Sequence, residues 1–343
     1  MIAIRTDANK TIATGHIMRC ITIADEIKNL GKEVTFYVSD DESASYLSDK
    51  GYDAFVLKSD WSNPIAETEA FADMLSENDT QVVLFDSYSF SDEYFKKLRS
   101  HLKKDIRIAY MDDLGDETYS VDMLINYNVY ADELDYEHRY GDDTVILKGP
   151  VYAPLRPQFF GRYEHHMHIP VNVLIAAGGG DVSELITDIL KQALEDDNVK
   201  KADLHVVLGS KTEDQNELMR IAWLSDNVFL HRQVTEMASL MSKCDIAVSA
   251  AGTMLTELCC MQIPTIEFYI ADNQKKNADH YAKRGIMIGV GDMQHDKEVV
   301  IKRLVRELSG LIEDKKRLQQ MRDSMKDICD GQGAHRIAEA LCS

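Results

Sequence analysis

The sequence is short of three things: paired cysteines, prolines and positive charge. Its six cysteines (Cys20, Cys244, Cys259, Cys260, Cys329 and Cys342) include no C-x-x-C spacing. In a chain of 343 residues this argues against a disulfide framework and for buried free thiols. Lys and Arg number 38 against 58 Asp and Glu, a formal net charge of −20. Such a field repels nucleic acid and anionic lipid, so neither is expected as a partner. If the ligand is an anion, local groups must bind it, and backbone amides at helix N-termini are the obvious supply. Apolar runs such as residues 82–85 and 171–177 are far too short to span a bilayer, so no membrane insertion is expected. The first six residues enter a strand-like pattern without the charged and apolar regions of a signal peptide, which leads us to expect a cytoplasmic protein. Neither the G-x-G-x-x-G nor the P-loop fingerprint occurs, and no cofactor is expected.

What is present is a long alternation of apolar runs and amphipathic segments, the pattern of repeated βα units in parallel sheets. Strands are expected at 2–6, 34–38, 54–57, 82–85, 106–110, 123–126 and 145–147, with helices at 17–30, 65–76 and 92–102. A second series starts at 172, with strands near 173–176, 204–208, 228–230, 246–249, 265–268 and 287–289. Its helices are expected at 182–194, 215–224, 235–243 and 253–261. Four of the six prolines fall in residues 149–170, which marks a junction. The expected organisation is a first α/β domain over 1–150, a linker over 151–170, and a second over 171–343 with a helical tail. The fold class is α/β, two Rossmann-like doubly wound domains facing a central cleft. Ligands in such sheets bind beyond the carboxyl ends of the strands, so the loops after strands are where chemistry is sought.

The first such loop runs from Asp7 to Gly15 and His16. Gly15 permits a tight turn, and His16 then opens a helix whose positive end favours a neutral imidazole able to accept a proton. Histidine is a poor helix cap, which favours a functional role over capping. Asp7 is the expected orienting partner of His16. A second loop, Asp86-Ser87-Tyr88, puts a carboxylate and a phenol after a buried strand. Asp112 and Asp113 follow another strand. No third metal ligand accompanies them, at least one reads as a solvated turn, and no metal site is expected. A third loop, Gly178-Gly179-Gly180-Asp181, and a fourth, Ser249-Ala250-Ala251-Gly252-Thr253, each precede a helix and suit phosphate binding by amides. Glu257 lies one helical turn beyond Thr253, within reach of ribose hydroxyls. Asn273 and Gln274 offer amides to a sugar. His165-His166-x-His168, in the junction, reads as a solvated linker.

Together Arg5-Thr6-Asp7, Gly15-His16-x-x-Arg19, Asp86-x-Tyr88, Ala153-Pro154-Leu155-Arg156, Gly178-Gly179-Gly180-Asp181 and Ser249-Ala250-Ala251-Gly252-Thr253 resemble a known family. It is that of the UDP-2,4-diacetamido-2,4,6-trideoxy-β-L-altropyranose hydrolases of pseudaminic acid biosynthesis, with related spore-coat polysaccharide proteins. The resemblance implies a GT-B-like fold and metal-independent hydrolysis of the sugar–UDP bond. It assigns His16 to activating water, with Asp7, Asp86 and Tyr88 around it and Gly15 and Arg19 lining the substrate. Gly178–Asp181 and the stretch Ser249, Ala251, Gly252 and Thr253 would hold the diphosphate, Glu257 the ribose, Asn273 and Gln274 the sugar, and backbone near Arg232 the base. Two departures are Ser87, where the family pattern often has His, and Gly180, where it has a hydroxyl. A GT-B glycosyltransferase using a UDP-sugar donor and a sugar or lipid acceptor is the alternative reading, and a non-catalytic nucleotide-sugar-binding protein a third. The sequence leaves the oligomeric state open.

Overall fold

The computed structural model describes residues 1–9, 11, 12, 14–103, 105–161, 166–178, 182–209 and 216–343. Two compact units emerge, Met1–Pro157 with Gly331–Ser343, and Gln158–Asp330.

The first unit is built on seven strands, β1 (Ile2–Thr6), β2 (Val34–Val38), β3 (Ala54–Val56), β4 (Val82–Asp86), β5 (Arg107–Met111), β6 (Met123–Asn126) and β7 (Val145–Lys148). Their order is β3-β2-β1-β4-β5-β6-β7, and every pairing is parallel. The second has six, β8 (Asn172–Ala176), β9 (Asp203–Leu208), β10 (Val228–Arg232), β11 (Ile246–Ala250), β12 (Thr265–Tyr269) and β13 (Ile288–Asp292). Their order, β10-β9-β8-β11-β12-β13, is again wholly parallel. Unbroken apolar runs such as 82–85, in a strand buried along its whole length, are what a strand covered on both faces requires.

In each sheet the chain begins centrally, winds outward to one side, then returns to build the other. The reversal lies between β1 and β4 in the first unit and between β8 and β11 in the second. There adjacent strands send their following loops apart, leaving a crevice at their carboxyl ends. The four loops singled out in the sequence follow these four strands.

The two cores differ in composition. The first is crowded with rings, Phe85 lying edge-on to Phe71, Phe90, Tyr94 and Phe95. The second is almost wholly aliphatic, with Val173, Ile175, Leu204, Val206, Ile246 and Val248 at its centre.

The helix Gly15–Asn29 buries Ile17, Cys20, Ile21, Ala24 and Ile27, a stripe of helical period. It is covered by the helix Gly333–Cys342, which turns Ala334, Ile337, Ala338 and Leu341 inward. His335 Nδ1 lies 3.0 Å from Glu26 Oε2, and Arg336 Nη1 donates to the Val151 carbonyl at 2.7 Å. Gly333 is required there, because a Cβ would stand 2.2 Å from the Ala153 carbonyl oxygen. The tail expected in one piece with the second domain is therefore divided. Helices Lys297–Glu313 and Lys315–Met325 stay with the second unit, and the last helix packs on the first.

Candidate active site

Four neighbouring strands of the first sheet, β1, β4, β5 and β6, bring their carboxyl ends to one place. Arg19 ties together the loops beyond them. Its Nε donates to Asp86 Oδ2 at 2.5 Å and its Nη2 to Asp86 Oδ1. Nη1 and Nη2 reach Asp113 Oδ1 and Oδ2 at 2.9 and 2.8 Å, and Nη1 donates to the Tyr127 hydroxyl at 2.6 Å. Arg19 was expected to line the substrate; its guanidinium is engaged with two carboxylates.

His16 stands in the first turn of the helix Gly15–Asn29, with Nδ1 2.6 Å from Asp86 Oδ1. Arg19 Nη2 also lies 3.1 Å from Nδ1. Arginine can only donate, so the two contacts ask for opposite tautomers. The shorter one, to an anion, decides for Nδ1–H, which makes Nε2 the proton acceptor. Tyr88 sets its ring edge-on to the imidazole, centroids 4.7 Å apart and planes at 86°, while remaining 56% exposed.

Asp86 is wholly buried and also accepts from Cys20 Sγ at 3.3 Å. Burial alone would push its carboxyl pKa up, but the charge of Arg19 and the contact with His16 outweigh that and hold it below the usual range. It stays an anion under His16.

Asp7 is not the partner of His16. Its Oδ2 accepts from Arg5 Nη1 at 2.6 Å and its Oδ1 from the Ser39 amide at 2.6 Å. Arg5 is fully buried and also holds Glu67, with Nε to Oε1 at 3.0 Å. Asp7 thus belongs to a buried ionic network beneath the loop, because alternation along β1 sends it away from the helix that carries His16. Nor is either aspartate after β5 a solvated turn. Asp112, 1% exposed, accepts from the Leu114 and Gly115 amides and the Tyr136 hydroxyl. Asp113 faces Arg19. Asp113 and Tyr127 were absent from the expected site, although the same rule, applied to the loops after β5 and β6, points at both.

In the second unit, Gly178 follows β8 with φ +96°, a conformation suited to glycine, and is exposed. Gly179, Gly180 and Asp181 lie outside the described residues. The loop after β11 differs from expectation in one respect. The Ala251 amide donates to the Phe268 carbonyl at 2.7 Å and the Gly252 amide to the Ala250 carbonyl at 2.8 Å. Ser249 is buried with its hydroxyl on the Ala250 carbonyl. These groups build the turn, so what the loop presents to an anion begins at exposed Thr253, ahead of the helix Met254–Cys260. Glu257 is half-buried on that helix. Asn273 is exposed in the first turn of the helix Asp272–Lys283, while Gln274 Oε1 accepts from the Ile270 amide at 3.0 Å. Arg232 ends β10, exposed. Gly178 and Thr253 stand after β8 and β11, the two strands that flank the reversal; Asn273 and Gln274 follow β12, and Arg232 is the last residue of β10.

Among the described residues no three His, Cys, Asp or Glu side chains are grouped as a metal ion would require, and no helix is long and apolar enough to cross a membrane. His168 of the junction lies with Nδ1 3.1 Å from buried Asp245, and His165 is outside the described residues. None of the six cysteines is disulfide-bonded, and all but Cys342 are buried.

A family model described as "Protein of unknown function (DUF354)" matches residues 179–332. An uncharacterized protein of Methanocaldococcus jannaschii, MJ1062, is 24% identical over 82% of the chain, which spans 58% of that relative. The spore coat polysaccharide biosynthesis protein SpsG of Bacillus subtilis is 24% identical over 99% of the chain and 97% of its own length. The UDP-2,4-diacetamido-2,4,6-trideoxy-β-L-altropyranose hydrolase of Campylobacter jejuni is 22% identical over 83% of the chain and 97% of its own. The resemblance drawn from the motifs thus extends to the whole sequence. Among solved structures, MurG of Acinetobacter baumannii superposes with a TM-score of 0.70 at 13% identity, covering 99% of each chain. The fold is GT-B-like, with two Rossmann-like domains.

Proposed function

We propose that this chain hydrolyses a UDP-linked diacetamido-trideoxy sugar to the free sugar and UDP. The observation that carries the reading is the His16–Asp86 pair at the reversal of the first sheet, a base with its accepting nitrogen fixed by a buried anion. The likeness to the Campylobacter hydrolase and to SpsG supports the substrate class.

In this reading His16 Nε2 takes a proton from water as its oxygen attacks the anomeric carbon. The sugar–oxygen bond breaks with its electron pair going to UDP. Attack from the face opposite the departing diphosphate inverts the anomeric centre. Asp86 steadies the imidazolium that forms, and Tyr88 fixes the ring from its edge. UDP is a good leaving group once donors hold its charge, so amides after β8 and β11 can do the work without a metal. Gly15 would line the sugar, Gly178 to Asp181 and Thr253 the diphosphate, Glu257 the ribose. Exposed Asn273 and the Gln274 Nε2 would meet the sugar, and backbone at Arg232 the base.

The second reading, transfer to a hydroxyl acceptor, draws on the likeness to MurG and on transferase relatives. The same base would then deprotonate the acceptor. Incubation with the UDP-diacetamido sugar, with and without EDTA, separates the two. UDP and free sugar released in water alone, at equal rates in both arms, support metal-independent hydrolysis. UDP release that waits for an added acceptor supports transfer.

A further inference from the structure

Arg19 is shared by two carboxylates. A guanidinium forked onto one carboxylate makes a neutral pair, and an Asp86 so neutralised is a weak acceptor for His16 Nδ1–H. Asp113 changes the count. Its oxygens take Nη1 and Nη2 at 2.9 and 2.8 Å, so one cation faces two anions and a negative charge remains over the pair.

The placement of Asp113 is built into the loop. Its backbone carbonyl accepts from Asn128 Nδ2 at 3.0 Å and from the Tyr130 hydroxyl at 2.6 Å, both beyond β6. Its side chain is only 13% exposed. The adjacent Asp112 spends its carboxylate on the loop itself, so the Asp-Asp dipeptide is divided between structure and site. Tyr127 braces the guanidinium from the far side.

We propose that Asp113 is a positioning residue which, through Arg19, leaves Asp86 anionic enough to hold His16 as the Nδ1–H tautomer. The inference rests on the hydrolase reading for its kinetic consequence, but its central observable needs no substrate. Without Asp113, Arg19 is left to Asp86 alone, the pull on Nδ1–H weakens, and Nε2 loses its standing as sole acceptor.

Long-range proton–nitrogen NMR spectra of the full chain, with His16 assigned by the signal missing in His16→Gln, report the tautomer directly. The wild type should show Nδ1–H, Asp113→Asn a mixture with Nε2–H, and Asp113→Glu a return toward the wild type. With a turned-over UDP-sugar, Asp113→Asn should lower kcat about tenfold or more and keep KM within about twofold. An unchanged tautomer in folded Asp113→Asn overturns the proposal, and so does a raised KM with kcat held. Asp113→Ser gives the same reading where the Asn variant does not fold. A changed tautomer in a protein whose wild type releases no UDP upholds Asp113 and overturns the hydrolase reading instead.

Discussion

His16 Nδ1 and Asp86 Oδ1 are 2.6 Å apart although 70 residues separate them in the chain. One comes from the helix after β1 and the other from the end of β4, strands that pair in register with Thr6 opposite Asp86. The contact is thus a direct product of strand pairing at the point where the sheet reverses.

If His16 is the base and the second unit holds the nucleotide, His16→Gln should lower kcat by about 10² to 10⁴ while UDP affinity changes little. Steady-state kinetics with calorimetric titration of UDP checks this. Full activity in the variant would remove His16 from the mechanism.

Glu257 is expected to act on binding. Glu257→Gln should raise KM for the UDP-sugar about tenfold with a smaller change in kcat, the signature of binding shared by ground and transition states. A fall confined to kcat would contradict a ribose contact.

Arg5 should prove structural. Arg5→Met leaves Asp7 and Glu67 buried without their cation, a loss of about 3–5 kcal/mol. Thermal unfolding would show a lowered Tm. An unchanged Tm would mean that the network is dispensable.

A carboxylate in the second unit gives a pH dependence. Glu267 on β12 is 1% exposed, and its Oε2 has no hydrogen-bond partner among the described residues. Burial, then the charge of Asp279, push its pKa up to about 8 against the opposing pull of Arg303. The folded state therefore keeps a proton that the unfolded chain, near 4.5, gives up. Stability from this group is fully present below pH 4.5 and falls by up to about 1.4 kcal/mol per unit as pH rises toward 8, then levels. Glu267→Gln should abolish that slope and raise Tm at pH 8. An identical Tm–pH curve for the two proteins would refute it.

Gly333→Ala should also lower Tm. The added Cβ would meet the Ala153 carbonyl oxygen and the Tyr152 carbonyl carbon at 2.2 and 2.4 Å, backbone that cannot step aside cheaply. A loss of about 1–3 kcal/mol is expected from such overpacking. Differential scanning calorimetry measures it.

The strands were legible because buried parallel strands are continuous apolar runs bounded by polar loops; β1, β2 and β6 fall on the expected residues. The helix Asp41–Ser48 was not, since only Ser43 and Leu47 of its eight residues are buried and it shows no apolar stripe. At the site, position after a strand was enough to find His16, Asp86 and Tyr88. It was not enough to choose between Asp7 and Asp86, which depends on the direction of each side chain at its strand's end. The Arg19–Asp113 and Arg19–Tyr127 contacts, 94 and 108 residues apart, exist only once β4, β5 and β6 are laid side by side. Sequence spacing carries no trace of that order.

The helix Gly333–Cys342 has a consequence for the order of events at the ribosome. The helix that carries His16 follows directly on β1, yet the helix that packs on it comes after every strand of both sheets. The second unit, wholly encoded between, can close before the first is complete. Until the Gly333–Cys342 helix docks, the side of the Gly15–Asn29 helix that carries Glu26 lacks its cover. A nascent chain stalled near residue 330 would hold a finished second unit and an unfinished first one.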